Sequence, residues 1–190
     1  MERIYKEDHN FQGISYIEES LEKGDYESCT FTNCIFSNSI LSLINFVDCE
    51  FKHCDFSLCH VKNTAFKDCK IKDCKILGVK FEECNTFGFA IHFENCQLNL
   101  SSFYKLALKN SKFKGCNLEE VDFGECNLGG MIFNNCNLLG AKFENTFLEK
   151  ADFRTAYNFS IDPEKNKIKK AKFSSTSLSG LLEKYNIEIE

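Results

Sequence analysis

The stretch CNLEEVDFGECNLGGMIFNNCNLLGAKF, residues 116–143, decides the fold. Its large apolar residues fall five apart, at Leu118, Phe123, Leu128, Phe133, Leu138 and Phe143. The step continues back to Phe93 and on to Phe153, with Phe and Leu alternating throughout. A second run in the same step extends from Tyr26 to Phe81, and fourteen of the twenty Phe lie on these two runs. An α-helix cannot use this pattern, because a step of five turns the helix by about 140° and spirals the apolar residues around it. A flat strand cannot use it either, since its side chains alternate with period two. Five reads instead as two plus three, a short extended piece followed by a corner.

The residues around each periodic position, its centre, agree. Two residues before a centre the chain points the same way if it is extended. Those positions are mostly small: Cys29, Cys34, Ser39, Cys49, Cys54 and Cys59 early on, Cys116, Val121, Cys126, Cys136 and Ala141 later. Two residues after a centre, Asn33, Asn63, Asp68, Gly78, Gly115 and Asn135 suit tight corners.

This pattern resembles the pentapeptide-repeat family, whose consensus is roughly A-[DN]-L-x-x. The segments CNLEEVDFGECNLGG (116–130) and CNLLGAKFENTFLEKADF (136–153) carry the resemblance most closely, within a region of about 24–155. It implies an all-β fold, a right-handed four-sided β-helix over 26–155 with four repeats to a coil. About six coils at ~4.8 Å spacing make a rod roughly 30 Å long. Residues 20 apart then stack, placing Phe93, Phe113, Phe133 and Phe153 in one column and Phe103, Phe123 and Phe143 in another. Outside, the same step pairs Glu50 with Lys70, Asp55 with Lys75, Glu94 with Lys114, Lys105 with Glu125 and Asp122 with Lys142.

The phase breaks once, across EECNTFGFAIH (82–92), which holds two residues more than the repeat requires. The expectation is a two-residue bulge that tucks both Phe87 and Phe89 back inside. The competing reading is a small loop in which Phe87, Gly88 and Phe89 touch a partner. Residues 1–25 read as a cap or an irregular first coil, because Phe11, Tyr16 and Leu21 keep the phase but Glu19 takes an interior position. Residues 156–190 read as a terminal module with the only proline, Pro163. In it Leu178, Leu181, Leu182 and Tyr185 follow helical spacing, Asn186 is a C-terminal cap, and Ile187 and Ile189 alternate as a short strand.

The segment SIDPEKNKI followed by this helix and strand is similar to the C-terminus of Qnr-type quinolone-resistance and microcin-immunity pentapeptide proteins. That resemblance implies a homodimer joined end to end, with Leu178, Leu181, Leu182, Tyr185, Ile187 and Ile189 as its contacts. The alternative reading is that the same residues cap the last coil of a monomer. Qnr-type proteins often carry long loops, so this chain resembles a loop-poor branch.

DCEFKHCDFSLCH (48–60) looks at first like a metal site, with three Cys and two His in thirteen residues. Its spacing is the coil's own period, which sends Cys49 and Cys54 to different walls. Buried cysteines of this kind act as small hydrophobes, while His53 and His60 face solvent. No metal and no cofactor is expected. The four His share no motif with a nucleophile, no phosphate-binding loop occurs, and a filled rod lacks a pocket, so the chain reads as non-enzymatic.

Net charge is −5, with an acidic start and a lysine-rich stretch from Lys62 to Lys80. This lacks the sustained basic balance of a protein that grips nucleic acid. The longest apolar stretch, ILSLINFV (40–47), is too short to cross a membrane. The start carries no apolar leader, which predicts a cytoplasmic protein with reduced cysteines. The resemblance implies a binding protein for DNA gyrase or topoisomerase IV that counters quinolones or peptide inhibitors by DNA mimicry. Candidate acidic contacts are Asp122, Glu125, Glu144, Glu149 and Asp152. The alternative is an interaction scaffold unrelated to topoisomerases.

Overall fold

The computed structural model describes residues 3–188. The chain winds as a right-handed coil with four walls, and each centre sits in the middle of a wall. Among the described residues, eleven short strands form on two of them: β1 (Ile4–Glu7), β2 (Asn10–Gln12), β3 (Gly24–Glu27), β4 (Thr30–Thr32), β5 (Asn45–Val47), β6 (Glu50–Lys52), β7 (Ala65–Lys67), β8 (Cys69–Lys72), β9 (Ile91–Glu94), β10 (Lys112–Lys114) and β11 (Phe133–Asn134). All pairings are parallel. The first wall stacks β2-β4-β6-β8-β9-β10-β11 and the fourth wall stacks β1-β3-β5-β7. The second and third walls are held by single bridges, such as Ile35↔Asp55 and Asp122↔Lys142.

Corners keep the strands short. The residue two after the centre adopts the left-handed region, as at Asn33 (φ 54°), Asp48 (φ 51°) and Gly115 (φ 63°). Leu43, Leu58 and Leu100 do so as well, at φ 56–66°. Coil closure therefore sets the corner even where the side chain disfavours it by ~1–2 kcal/mol.

The interior consists of columns. On the first wall Phe11, Phe31 and Phe51 stack at 4.5 and 4.9 Å, Ile71 follows in register, and Phe93, Phe113, Phe133, Phe153 and Phe173 continue at 4.9–5.9 Å. The column has nine levels, so at ~4.8 Å per step it is about 38 Å long. Rings on adjoining walls meet edge to face, as Phe113 does with Phe103 (5.6 Å, 82°) and Phe123 (5.9 Å, 79°). Stacking along the axis and edge contacts across it suit the aromatic quadrupole.

The small slots beside the centres have a second requirement beyond size. Many of their occupants donate to the carbonyl of a centre one level earlier. Cys49 donates to Tyr26 O (3.2 Å), Thr64 to Leu41 O (2.8 Å), Thr146 to Phe123 O (2.9 Å) and Asn166 to Phe143 O (2.8 Å). Cys, Ser, Thr and Asn all supply a compact donor, which the aliphatic occupants of the same slots cannot.

Both ends extend the coil beyond the region of clear repeat. β1 and β2 pair in register with β3 and β4, so the N-terminal residues form a coil, with Glu19 turned out to solvent. The phase slip lies between two pairings: Ala65↔Asn85 keeps the step of 20, while Cys69↔Ile91 and all later pairs across it use 22. Only one of its aromatics returns to the core. Phe89 is buried against Phe81 (6.2 Å), whereas Phe87 is 78% exposed, with the Lys67 ammonium 5.4 Å from its ring. The wall has one vacant level there and one ring fills it, which corrects the expectation that both would tuck in and removes Phe89 as a surface contact.

At the other end the expected helix is wound as 3-10 turns, Ser175–Leu181 and Glu183–Tyr185. The Ile161 N–H reaches Gly180 O (2.8 Å), so this segment lies in the next level of the coil. Such tethering, with few strong helix formers in STSLSGL, favours the tighter winding over a free α-helix. Asn186 caps it in the left-handed region (φ 47°). Ile187 and Glu188 are in no strand, and Ile189 lies outside the described residues.

Of the five outer ion pairs expected, Glu94–Lys114 (3.0 Å) and Lys105–Glu125 (3.6 Å) form. Glu50 turns instead to Lys52 in its own strand (2.8 Å). Asp55 and Asp122 accept the backbone N–H of Ser57 (2.9 Å) and Gly124 (2.8 Å), a local turn bond that holds each carboxylate away from the lysine one level on.

Candidate interaction surface

All twelve cysteines are buried and unpaired. Cys34, Cys54, Cys74, Cys96, Cys116 and Cys136 form one column, while His53 and His60 face solvent. Among the described residues no three His, Cys, Asp or Glu side chains gather as a metal site would require. Burial pushes the thiols of Cys49, Cys59 and Cys126 up to about 12. The unfolded chain releases these protons from near pH 9, whereas the folded rod holds them until about 12. Raised folded values mean that stability is complete below pH 9 and falls as pH rises toward 12. The rod should therefore unfold at progressively lower urea between those limits, and native protein at pH 8 should leave a thiol reagent unconsumed until denaturant is added. Rapid labelling of the native protein would contradict the packing.

The five candidate acidic residues do not form one stripe. Asp122, Glu125 and Glu144 meet on the third wall around a cleft of about 380 Å³ that Tyr104 and Lys142 also line. Tyr104 donates to Glu125, which Lys105 also approaches. Glu149 lies on the fourth wall. Asp152 is on the first wall, buried under a forked pairing with Arg154 (2.7 Å at the closest) that holds its carboxyl below the usual range. Its charge is already matched, which withdraws it as an exposed contact. The sequence offered a signal for this in the pattern D-x-R, whose flanking residues sit on one outer side of a strand.

The terminal residues divide into two groups. Leu181 packs against the core and Leu182 is half-buried. Leu178, Tyr185 and Ile187 are 45%, 53% and 55% exposed. A depression of about 710 Å³ lies beside them, lined among others by Arg154, Tyr157, Phe159 and Leu182. Lys184 bridges Asp162 and Glu164, both at 2.7 Å, and Tyr185 donates to Glu164 (3.1 Å). The segment thus closes the last coil and still presents apolar side chains outward.

The sequence matches the model of the pentapeptide repeat region over residues 89–181 and that of pentapeptide repeats (8 copies) over 27–63. The chain belongs to the pentapeptide-repeat family. Its fold is similar to that of full-length QnrB1, a plasmid-mediated fluoroquinolone resistance protein. The two share 19% identity at a TM-score of 0.60, across 96% of this chain and 100% of that one. HetL, a pentapeptide repeat protein involved in heterocyst differentiation regulation from the cyanobacterium Nostoc, aligns at TM-score 0.44 and 14% identity over 90% of this chain and 87% of its own. No curated protein matches the chain in sequence. Among the described residues, no helix is long and apolar enough to cross a membrane.

Proposed function

We propose that this protein is a non-catalytic, cytoplasmic binding partner of a type II DNA topoisomerase, chiefly gyrase, which it shields from quinolones or peptide inhibitors. The observation that carries this reading is a four-walled rod alike to QnrB1 along nearly the whole of both chains, closed by a terminal segment. Leu178, Tyr185 and Ile187 join two rods end to end, since they are the apolar side chains that segment leaves exposed. On the third wall Asp122, Glu125 and Glu144 present carboxylates where DNA would present phosphates. Purified gyrase inhibited by a quinolone should regain supercoiling when this protein is added at micromolar concentration. Replacing Asp122, Glu125 and Glu144 with Gln or Asn should weaken that rescue at least about tenfold, the loss of ~1.4 kcal/mol. Neither rescue nor inhibition at that concentration would end the proposal.

A further inference from the structure

The outer side of the fourth wall is divided by charge along the rod. Its first four levels carry Glu7, Asp8, Asp25, Glu27, Asp48 and Asp68 against Lys67 and an Arg3 forked onto Asp25. Its last four carry Lys109, Lys150, Lys167, Lys169 and Lys170 against Glu149. Lys150 lies one level from Lys169 and Lys170, with its N–H on Lys169 O (3.0 Å). Like charges at that spacing repel. Among the described residues, the only ion pair on this wall is Arg3–Asp25 (2.8 Å), and none involves these five lysines. Between the two halves stands Phe87, the most exposed large apolar side chain among the described residues. Ala65, Ala107, Gly129 and Gly130 keep the surface around it low.

We propose that two copies of the chain pack side by side and antiparallel along this wall, the acidic half of each against the basic half of the other. A twofold axis running across the rods preserves the column a residue occupies and inverts the order of levels. With the second level of one copy opposite the ninth of the other, Glu27 faces Lys169 and Asp48 faces Lys150, while Asp25, already matched by Arg3, lies opposite Lys167. In the same register Phe87 comes over Lys109, Lys67 and Asp68 meet Gly129 and Gly130, and Glu149 meets Val47. No two like charges face each other. A strip ~38 Å long and ~15 Å wide gives roughly 1,100 Å² buried in total, near the lower bound for a specific interface. This contact is separate from the rod end and does not depend on any topoisomerase.

The test uses two triple variants of the full chain, each in a background of Leu178→Ser, Tyr185→Ser and Ile187→Ser that removes the end contact. One, Lys150→Glu/Lys169→Glu/Lys170→Glu, makes both halves acidic. The other, Glu27→Lys/Asp48→Lys/Asp68→Lys, makes both halves basic. The background protein should sediment as a dimer whose Kd rises at least about tenfold between about 50 and about 500 mM salt. By solution scattering that dimer should be only about one level, ~5 Å, longer than a single rod. Each triple variant alone should be monomeric, and their equimolar mixture should recover the dimer mass. A background protein that is monomeric at low salt, or a dimer twice the rod's length, overturns the proposal. So does a mixture of folded variants, checked by circular dichroism, that stays monomeric.

Discussion

Replacing Phe113 with Ala should destabilise the rod by about 3–5 kcal/mol, the range for deleting a buried aromatic. Phe113 is 1% exposed and touches rings on four sides: Phe93 and Phe133 along its column, Phe103 and Phe123 across the corners. None of these can move in to fill the gap, because each is fixed by its own level of the coil. A solenoid is held level by level, so the loss also weakens the coupling between the two halves. Urea unfolding should accordingly shift to lower midpoint and broaden. The control is Phe87→Ala, which removes an equally large ring from the surface and should change stability by less than about 0.5 kcal/mol. Equal effects at the two positions would mean that the assignment of inside and outside is wrong.

That contrast also marks what the sequence could and could not disclose. The columns were legible because a coil of four five-residue sides imposes one period on every level, and the period survives in the spacing of Phe and Leu. The two-residue slip was legible from the same arithmetic. Which of its two aromatics returns to the core was not, since Phe87 and Phe89 are chemically identical and only the single vacant level between Phe66 and Leu108 separates them. The ion pairs failed for a related reason. Stacking at 20 residues brings Asp122 near Lys142, but the bond from Gly124 N–H to the Asp122 carboxylate forms within the same corner and is cheaper in chain entropy than a cross-level pair. Likewise Asp152 reads as an exposed contact from its place along the chain, while the outer side it shares with Arg154 decides its partner. The charge division of the fourth wall was hidden behind a net charge of only −5. It appears only when every fifth residue is sorted by wall and the two-residue slip is allowed for.

The terminal segment is where local sterics reach furthest toward function, and Gly180→Val should release it. A Cβ at Gly180 would collide with the Phe159 carbonyl oxygen and lie 2.8 Å from the Phe159 ring. The oxygen belongs to backbone fixed in the preceding level, so the new side chain cannot be accommodated by a rotamer change, and overpacking of this kind costs about 1–3 kcal/mol. Little holds the segment against that cost. Its anchors are the Ile161 N–H to Gly180 O bond, the contact of Leu181 with the core, the Lys184 bridges to Asp162 and Glu164, and the bond from Tyr185 to Glu164. Amide exchange at Ile161 and from Ser177 to Asn186 should therefore become fast, while amides of the middle levels, such as Asn117 and Asp122, keep their protection. Detachment uncovers the last level of the coil, an open edge that other chains can pair with, so the variant should also aggregate more readily on heating. Unchanged exchange at Ile161 would show that the segment is not latched through Gly180. If the exposed side chains of this segment join two rods, Gly180→Val also lowers gyrase rescue with the body of the rod intact, and Phe113→Ala lowers it only to the extent that the rod itself unfolds.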